Sequence, residues 1–581
     1  MSLYMIRARL QCLGIPTRFF KGNHSAYSSK KDCASLQSFI PFMKLLENRR
    51  EQANRSILVQ VQSADSYKEL YSYCSTLGIV KDMFHYREGT DPSHFILIEF
   101  EEQSHTNNVL RESTYLIDGQ TIPTSSHFLW FRAANRKSPK LKQNKSACLL
   151  ITNGTAMIKD DKLYEALSKC ETISEEMEKL HELTKLNEMG SRLRFLTARQ
   201  VEGLMSGLFP KARAYPFGSS VNGFGKMGCD LDLILRLTDE KEKEHSRLVY
   251  HCKASSSSER SANQKNMEVI GDLIYLFLPG CTQVRRILQA RVPIIKYHHQ
   301  LTDIECDLSM TNMSGVYMSD LLYMFGEMDY RVRPLIFTIR RWAKEVGLTN
   351  SSPGRWITNF TLTLLVLAYL QNPPNSHPVL PSLNSLVRSA GPEDAFVTED
   401  GTDCTFARDL RKLTFAKSNV GSLEQLLVGF FEYYCHFDFN SMAVCLNEAV
   451  HLTKPDHSPM YVVNPLEKGL NVSKNVSHEE VERFKCEVKN AAWVLESQND
   501  GRLTGLFESG RRKPLSRINF TESTKSKRLM NVTTLFKEAE DEEQTEEYKN
   551  DTMASQVKSI RKETKERIKM LEAAMGQKSR R

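Results

Sequence analysis

The sequence predicts an α+β protein of several domains. Three observations carry that expectation. Residues 55–132 alternate as β-α-β-β-α-β, residues 216–237 pass from a Gly/Ser loop into an apolar strand holding two aspartates, and helical periodicity dominates from there to about residue 497. The 581 residues supply about three to five domain-sized pieces. Hydrophobic residues at 40% and charged residues at 25% sit near the globular average and exclude a collagen-like, fully disordered or disulfide-scaffold protein. The longest apolar run, Trp356–Leu370, is broken by Thr358, Asn359, Thr361 and Thr363. It falls short of the ~20 residues that a span requires, so it reads as a buried helix, and no membrane span is expected. Lys and Arg outnumber Asp and Glu by 78 to 70, a mild excess compatible with a phosphate-bearing partner. The 13 cysteines are scattered without a C-x-x-C pair, which reads as thiols of a reducing compartment.

The first 31 residues hold six basic residues (Arg7, Arg9, Arg18, Lys21, Lys30, Lys31) and no acid, with Leu3, Ile6, Leu10 and Leu13 at helical spacing and serines at 25, 28 and 29. Basic, amphipathic and acid-poor is the pattern of a mitochondrial transit peptide. Residues 1–40 are therefore assigned to it, and the mitochondrial matrix is the expected location.

Ile57–Val61 alternates as a strand, Ser66–Leu77 as a helix, Val80–Tyr86 and His94–Phe100 as strands around a break at Gly89–Pro92, Ser104–Arg111 as a helix, and Phe128–Arg132 as a closing strand. That order is a ferredoxin-like, RNA-recognition-type module over 55–132. Such modules stack bases on aromatics of the central strands. Here Leu58 replaces one of them, while Phe84 and Tyr86 share one face of a neighbouring strand. The module is expected either to stack RNA on Phe84 and Tyr86 or to serve packing or a homodimer. Residues 133–160 read as a basic linker, and residues 505–581, basic at first and then acidic with seven acids against two Lys over 537–549, as a flexible charged tail.

The most informative segment is PFGSSVNGFGKMGCDLDLILRL, Pro216–Leu237. Gly218, Ser219 and Ser220 offer open backbone and hydroxyls, as a phosphate cradle requires. Strand alternation puts Asp230 and Asp232 on one face. Two carboxylates so close repel unless a cation neutralises them, and oxygen donors suit Mg²⁺ completed by substrate phosphates. In the segment 291–310 two strands flank a turn at Gln300–Asp303, and Asp307 stands between Cys306 and Leu308, where an adjacent strand could face the first pair.

FGSSVNGFGKMGCDLDL resembles the signature of the DNA polymerase β-like nucleotidyltransferases, in their non-standard poly(A) polymerase and terminal uridylyltransferase branch. The resemblance continues through ECDLSMTN, RVRPLIFTIRRWAKEVGL, GRWITNFTLTLLVLAYL and YVVNPLEKGLNVSKNVS, about residues 190–490. It implies a palm of mixed β-sheet with helices over 195–325 and a helical PAP-associated domain from 161–194 and 326–500, with ATP between them. It implies template-independent transfer of AMP from ATP to RNA 3′ ends, with Mg²⁺ or Mn²⁺ held by Asp230, Asp232 and Asp307. Gly218 and Ser219 match the phosphate-contacting pair, and Gly228 and Cys229 lie near the nucleotide. Asn312 and Ser319 match positions reaching the primer end and ribose, Arg340 and Lys344 those gripping the triphosphate, and Asn359 and Phe360 a Ser-Tyr pair that meets phosphate and stacks the base. Related uridylyl-adding enzymes often carry a His where this chain has Leu470, which cannot bond a uracil edge, so ATP is favoured over UTP. The alternatives are a terminal uridylyltransferase and a catalytically inactive RNA-binding scaffold.

Overall fold

The computed structural model describes residues 39–511 apart from 89–92, 115–124, 133–148, 153, 155, 238–246, 248–258, 291, 311–312, 351, 353, 375, 414, 416–417 and 498–501. The transit segment up to residue 38, the break at Gly89–Pro92, the basic positions 136–145 and the tail from residue 512 lie outside the described residues. Phe39 and Ile40, assigned to the transit segment, are described: Phe39 is buried, and the Ile40 carbonyl accepts a bond from the Tyr323 hydroxyl at 3.0 Å.

The chain opens with helix α1 (Phe42–Asn54), followed by strand β1 (Ser56–Val61), α2 (Tyr67–Leu77), β2 (Val80–Glu88), β3 (Ser93–Phe100), α3 (Gln103–Glu112), β4 (Phe128–Trp130) and β5 (Leu149–Ile151). These strands form one sheet in the order β4-β1-β3-β2-β5. The central β1–β3–β2 ladder is antiparallel and both edges are parallel. The order β-α-β-β-α-β is as expected, but two elements differ. Helix α1 has no counterpart in the sequence reading. It binds the rest of the chain through Arg49 to Glu188 and through Arg50, which donates to the Ala214 carbonyl at 2.9 Å. The stretch taken as linker, 133–160, contributes β5, because Leu149 and Leu150 complete the open edge of β2 beside Met83 and Phe84.

Ile57, Val59, Ile96, Ile98 and Phe100 pack under α2 and α3. The alternate side chains Leu58, Tyr86, Phe95, Leu97 and Phe128 pack on the opposite side, against Leu193 and Leu196. Of the uses expected for this face (RNA stacking, packing or a second copy), packing within the same chain is the one observed.

Next come α4 (Asp160–Leu167), α5 (Ile173–Thr184), α6 (Glu188–Met205), β6 (Arg213–Phe217) with a 3-10 turn at Gly218–Ser220, β7 (Leu231–Arg236), α7 (Glu259–Phe277), β8 (Cys281–Ile287), β9 (Ile294–His299) and β10 (Ile304–Ser309). The second sheet runs β6-β7-β10-β9-β8. Its apolar face (Leu231, Leu233, Leu235, Ile295, Tyr297, Cys306, Leu308) packs on α6 and α7 in the cluster that also contains the first sheet's inner face. Helix α6 therefore lies between two sheets, capped by Asn187, whose side chain accepts from the Gly190 N–H at 2.7 Å.

The remaining elements are α8 (Ser314–Met328), α9 (Val332–Glu345), α10 (Asn359–Gln371), α11 (Leu383–Arg388), α12 (Leu423–His436), the short ribbon β11 (Met442–Ala443) and β12 (Leu452–Thr453), α13 (His478–Ser497) and α14 (Leu503–Arg511). Helix α10 is buried from Thr361 to Gln371, as expected of the apolar run, and Thr358 caps it by accepting from the Thr361 N–H at 3.1 Å. Helix α14 corrects the start of the expected tail: Leu503, Leu506 and Phe507 join the helical core. Among the described residues no helix is long and apolar enough to cross a membrane, and all nine described cysteines are free.

Candidate active site

The three aspartates meet on the open face of the second sheet. β7 and β10 run parallel with Asp232 opposite Asp307, so their carboxylates are one strand spacing apart, ~4.8 Å. β7 begins at Leu231, which leaves Asp230 on the entering backbone and exposed, while Asp232 is half-buried. The expected side-by-side strand pair is therefore a strand residue and its neighbour at the mouth. Burial, then Asp307 and Asp230, push Asp232 up to about 7. Burial first, then Asp307 and Glu305, raise Asp230 against the opposing pull of Lys296. Both shifts run against ionisation of Asp230 and Asp232, so positive charge placed between them is favoured.

Part of that charge is met by Lys296, a residue the sequence reading missed. It lies opposite Asp307 on β9 and donates to Asp307 Oδ1 at 2.8 Å. Burial pulls its ammonium down, but the bond and field of Asp307 outweigh it and hold Lys296 above the usual lysine value. Among the described residues no three His, Cys, Asp or Glu side chains stand ready as a metal cage, and Lys296 occupies one oxygen of Asp307. The donors are nevertheless all hard oxygens, and the pair that burial leaves hard to ionise is what a divalent cation such as Mg²⁺ or Mn²⁺ neutralises, with substrate phosphates completing its shell.

The Gly/Ser loop abuts this site. Gly218 adopts φ +69°, and a Cβ there would lie 2.6 Å from Asp232 Oδ2, so only glycine allows the turn to touch the carboxylate. Ser219 follows, partly exposed. Ser220 is buried, donating to the Asp230 carbonyl at 2.8 Å and accepting from Arg194 Nε at 3.2 Å. Arg194 is 2% exposed. It also donates to the carbonyls of Gly190 and Cys229, so a buried guanidinium on α6 fastens the backbone on which Cys229 and Asp230 sit. Gly228 takes φ +75° beside the exposed Met157.

Ser319 corrects the expectation for it. It is 1% exposed. Its hydroxyl accepts the Gly218 N–H at 2.7 Å and donates to the Gly315 carbonyl at 2.7 Å, so it pegs the turn to α8 instead of facing a ribose. Phe84 and Tyr86 are corrected too. Tyr86 is 1% exposed and stacked on Phe95, ring centroids 5.5 Å apart, and the guanidinium of Arg192 covers Phe84 at 4.6 Å. Neither ring is open to a base. Asn312 lies outside the described residues.

Arg340, on α9, donates to the Phe224 carbonyl of the Gly-rich loop at 2.7 Å, and burial pushes it down to about 10. Lys344 is exposed one turn on. Burial, then Lys344 and Arg340, hold Lys226 below its usual value, so Lys226 stands within the field of those two cations. Its position in a Gly-rich loop hid it from sequence reasoning. Asn359 is exposed and Phe360 half-buried at the start of α10, and Leu470 is half-buried in a turn whose Glu467 accepts from Ser314 at 3.3 Å.

Three family models match the chain: "Poly(A) RNA polymerase, mitochondrial-like, central palm domain" over residues 173–327, "RL domain" over 41–113, and "Cid1 family poly A polymerase" over 422–469. The Drosophila melanogaster "Poly(A) RNA polymerase, mitochondrial" is 46% identical over 561 residues, covering 91% of each chain. Crystal structures of mtPAP in complex with ATPgammaS (TM-score 0.73, 33% identity) and with UTP (TM-score 0.72, 34% identity) each cover 80% of this chain and 99% of the other.

Proposed function

The chain belongs to the mitochondrial poly(A) RNA polymerase family, and on that premise we propose that it transfers AMP from ATP to RNA 3′ ends without a template, releasing pyrophosphate. It is a nucleotidyltransferase of α+β fold. The observation that carries the reading is the register of Asp232 against Asp307 with the Gly218 turn laid on Asp232.

In this proposal Asp230, Asp232 and Asp307 hold the divalent cations. When bound, Mg²⁺ or Mn²⁺ supplies positive charge to the phosphates and lowers the barrier to ionising a hydroxyl. Ser219 binds the phosphates through its backbone N–H and hydroxyl, and Gly218, whose own N–H is held by Ser319, lets the turn approach them without a side chain, with Gly228 and Cys229 shaping the loop below. Arg340, Lys344 and Lys226 grip the triphosphate, and Asn359 and Phe360 flank phosphate and base. Asp307, with Oδ1 taken by Lys296, presents its other oxygen to the attacking 3′-hydroxyl. Leu470 offers no hydrogen bond to a uracil edge, which supports ATP over UTP. The location proposed is the mitochondrial matrix, supported by the basic, acid-free first 31 residues. A homodimer, if part of the working form, uses a surface other than the first sheet's inner face, which α6 occupies.

The test is extension of a 5′-labelled oligo(A) RNA by the protein lacking residues 1–38, with Mg²⁺ and each nucleoside triphosphate in turn. Extension with ATP well above UTP is expected. Extension mainly with UTP would transfer the chain to the uridylyl-adding branch.

A further inference from the structure

The residues of the second sheet form one row across all five strands. Register pairs Phe217 with Asp232, Asp232 with Asp307, Asp307 with Lys296, and Lys296 with Arg285. The row passes from the phosphate turn through two acids to two cations. Arg285 is exposed, and no ion pair to it exists among the described residues, whereas its neighbour Arg286 turns to the other face and pairs with Asp272 of α7.

Arg285 holds this place because of a bulge. The β8–β9 register shifts between Thr282 and Arg285, and Gln283 takes φ +55°, a conformation costly for a non-glycine residue. Without the extra residue Val284 would stand opposite Lys296. With it, Val284 packs into the apolar cluster and Arg285 joins the open face. Bulges beside active sites commonly re-aim one side chain in this way.

We propose that Lys296 and Arg285 bind the sugar–phosphate backbone of the RNA primer just inward of its 3′ end, so that the terminal hydroxyl rests against Asp307. This deepens the polymerase reading and rests on it. Nucleotide phosphates are accounted for on the other side of Asp232, by Gly218, Ser219 and the cations of α9. Arg285 stands two strand spacings, ~10 Å, beyond Asp307, on the side that the triphosphate does not reach. The adjoining row, Thr282–His298–Glu305, carries an acid, so the cationic track is one row wide and suits a single strand. Both cations address phosphate, so the contact reads no sequence.

The test is anisotropy of 5′-labelled oligo(A) over a salt series, with ATP KM measured in parallel, for the wild type, Arg285→Ala, Arg285→Glu and the control Arg286→Ala. Arg285→Ala is expected to weaken RNA binding about fivefold and to flatten the log–log salt slope by about 0.7, the value of one single-strand phosphate contact. Arg285→Glu weakens binding further. ATP KM stays within twofold, and Arg286→Ala keeps the wild-type slope. Unchanged RNA affinity and slope in both Arg285 variants would overturn the inference, as would an equal rise in ATP KM. A wild type that extends RNA but is indifferent to Arg285 defeats this inference alone; one that binds RNA through Arg285 yet extends it with no nucleotide defeats the polymerase reading alone.

Discussion

Two five-stranded sheets in this chain each bury one face under helices, and they differ in what meets the other face. In the first, the second face is pressed on α6. Its aromatics are spent on packing, and Glu99 at the end of β3 is fully buried, bonded by Arg192 at 2.5 Å and Lys81 at 3.1 Å with Arg55 at 3.3 Å. In the second, α8 covers the other face at Phe217 and Ile234, and the rest of that face holds Asp232, Asp307, Lys296 and Arg285. A strand order that elsewhere reads RNA says little about function until the cover of its face is known. Here the first sheet serves as a buttress and the second carries the proposed chemistry.

The largest expected effect tests the open sheet. Asp232→Asn should lower AMP incorporation by about 10³-fold or more, since charge is lost where phosphoryl chemistry needs it, while its melting temperature holds or rises. The same carboxylate sets a pH dependence. Its folded value, about 7, lies above its unfolded one, so the folded state binds the proton more tightly. Without divalent cation, this group's contribution to stability is present in acid and is lost as pH rises through 7; Asp232→Asn and added Mg²⁺ should each remove that part of the slope in a melting series. A wild-type profile flat without cation would remove the basis for a strained carboxylate pair.

The closed sheet comes next. Glu99→Ala leaves Arg192, Lys81 and Arg55 around an empty centre and should cost about 3–5 kcal/mol, read by denaturant unfolding. Tyr86→Ala should cost about 3 kcal/mol yet leave oligo(A) affinity within twofold. A large loss of RNA binding with intact stability would mean that this face opens to nucleic acid and the contrast between the sheets is false. Smaller still, Leu470→His should raise UTP use relative to ATP about tenfold in the extension assay. Ser319→Ala, which frees the Gly218 N–H, should cost about 1 kcal/mol and slow transfer more than it weakens ATP binding.

Much of this contrast was legible in the sequence, though unevenly. Gly218 beside the paired aspartates, and Asp307 in its strand, were readable because a carboxylate amid alternating leucines has few structural uses. The strands and helices of the first sheet were readable from period alone. The closure of its face, one of the alternatives the sequence leaves open, has a signal that would have decided between them: Phe95, Ile96, Leu97, Ile98 and Phe100 are apolar without alternation, the pattern of a strand covered on both sides. Helix α1 and strand β5 escaped because one is polar over most of its length and the other is three residues in a basic stretch. Arg194, Lys226 and Lys296 escaped for a different reason: each is an ordinary basic residue whose role exists only once distant strands and helices bring a partner to it. Ser319 was misassigned because its position relative to a motif does not say which way a helix turns it.

Helix α6 touches the apolar faces of both sheets, and that bears on how the molecule comes apart. A wall shared by two rooms cannot be assigned to either, so the first sheet is not a bead that can be cut off or exchanged at its sequence boundary. Removing residues 39–132 would strip one flank of α6, and the damage would travel along Arg194 to the backbone under Asp230. Calorimetry should accordingly record the two sheets melting in a single cooperative transition, and substitutions at their seam should behave as catalytic lesions at high temperature and as silent ones at low.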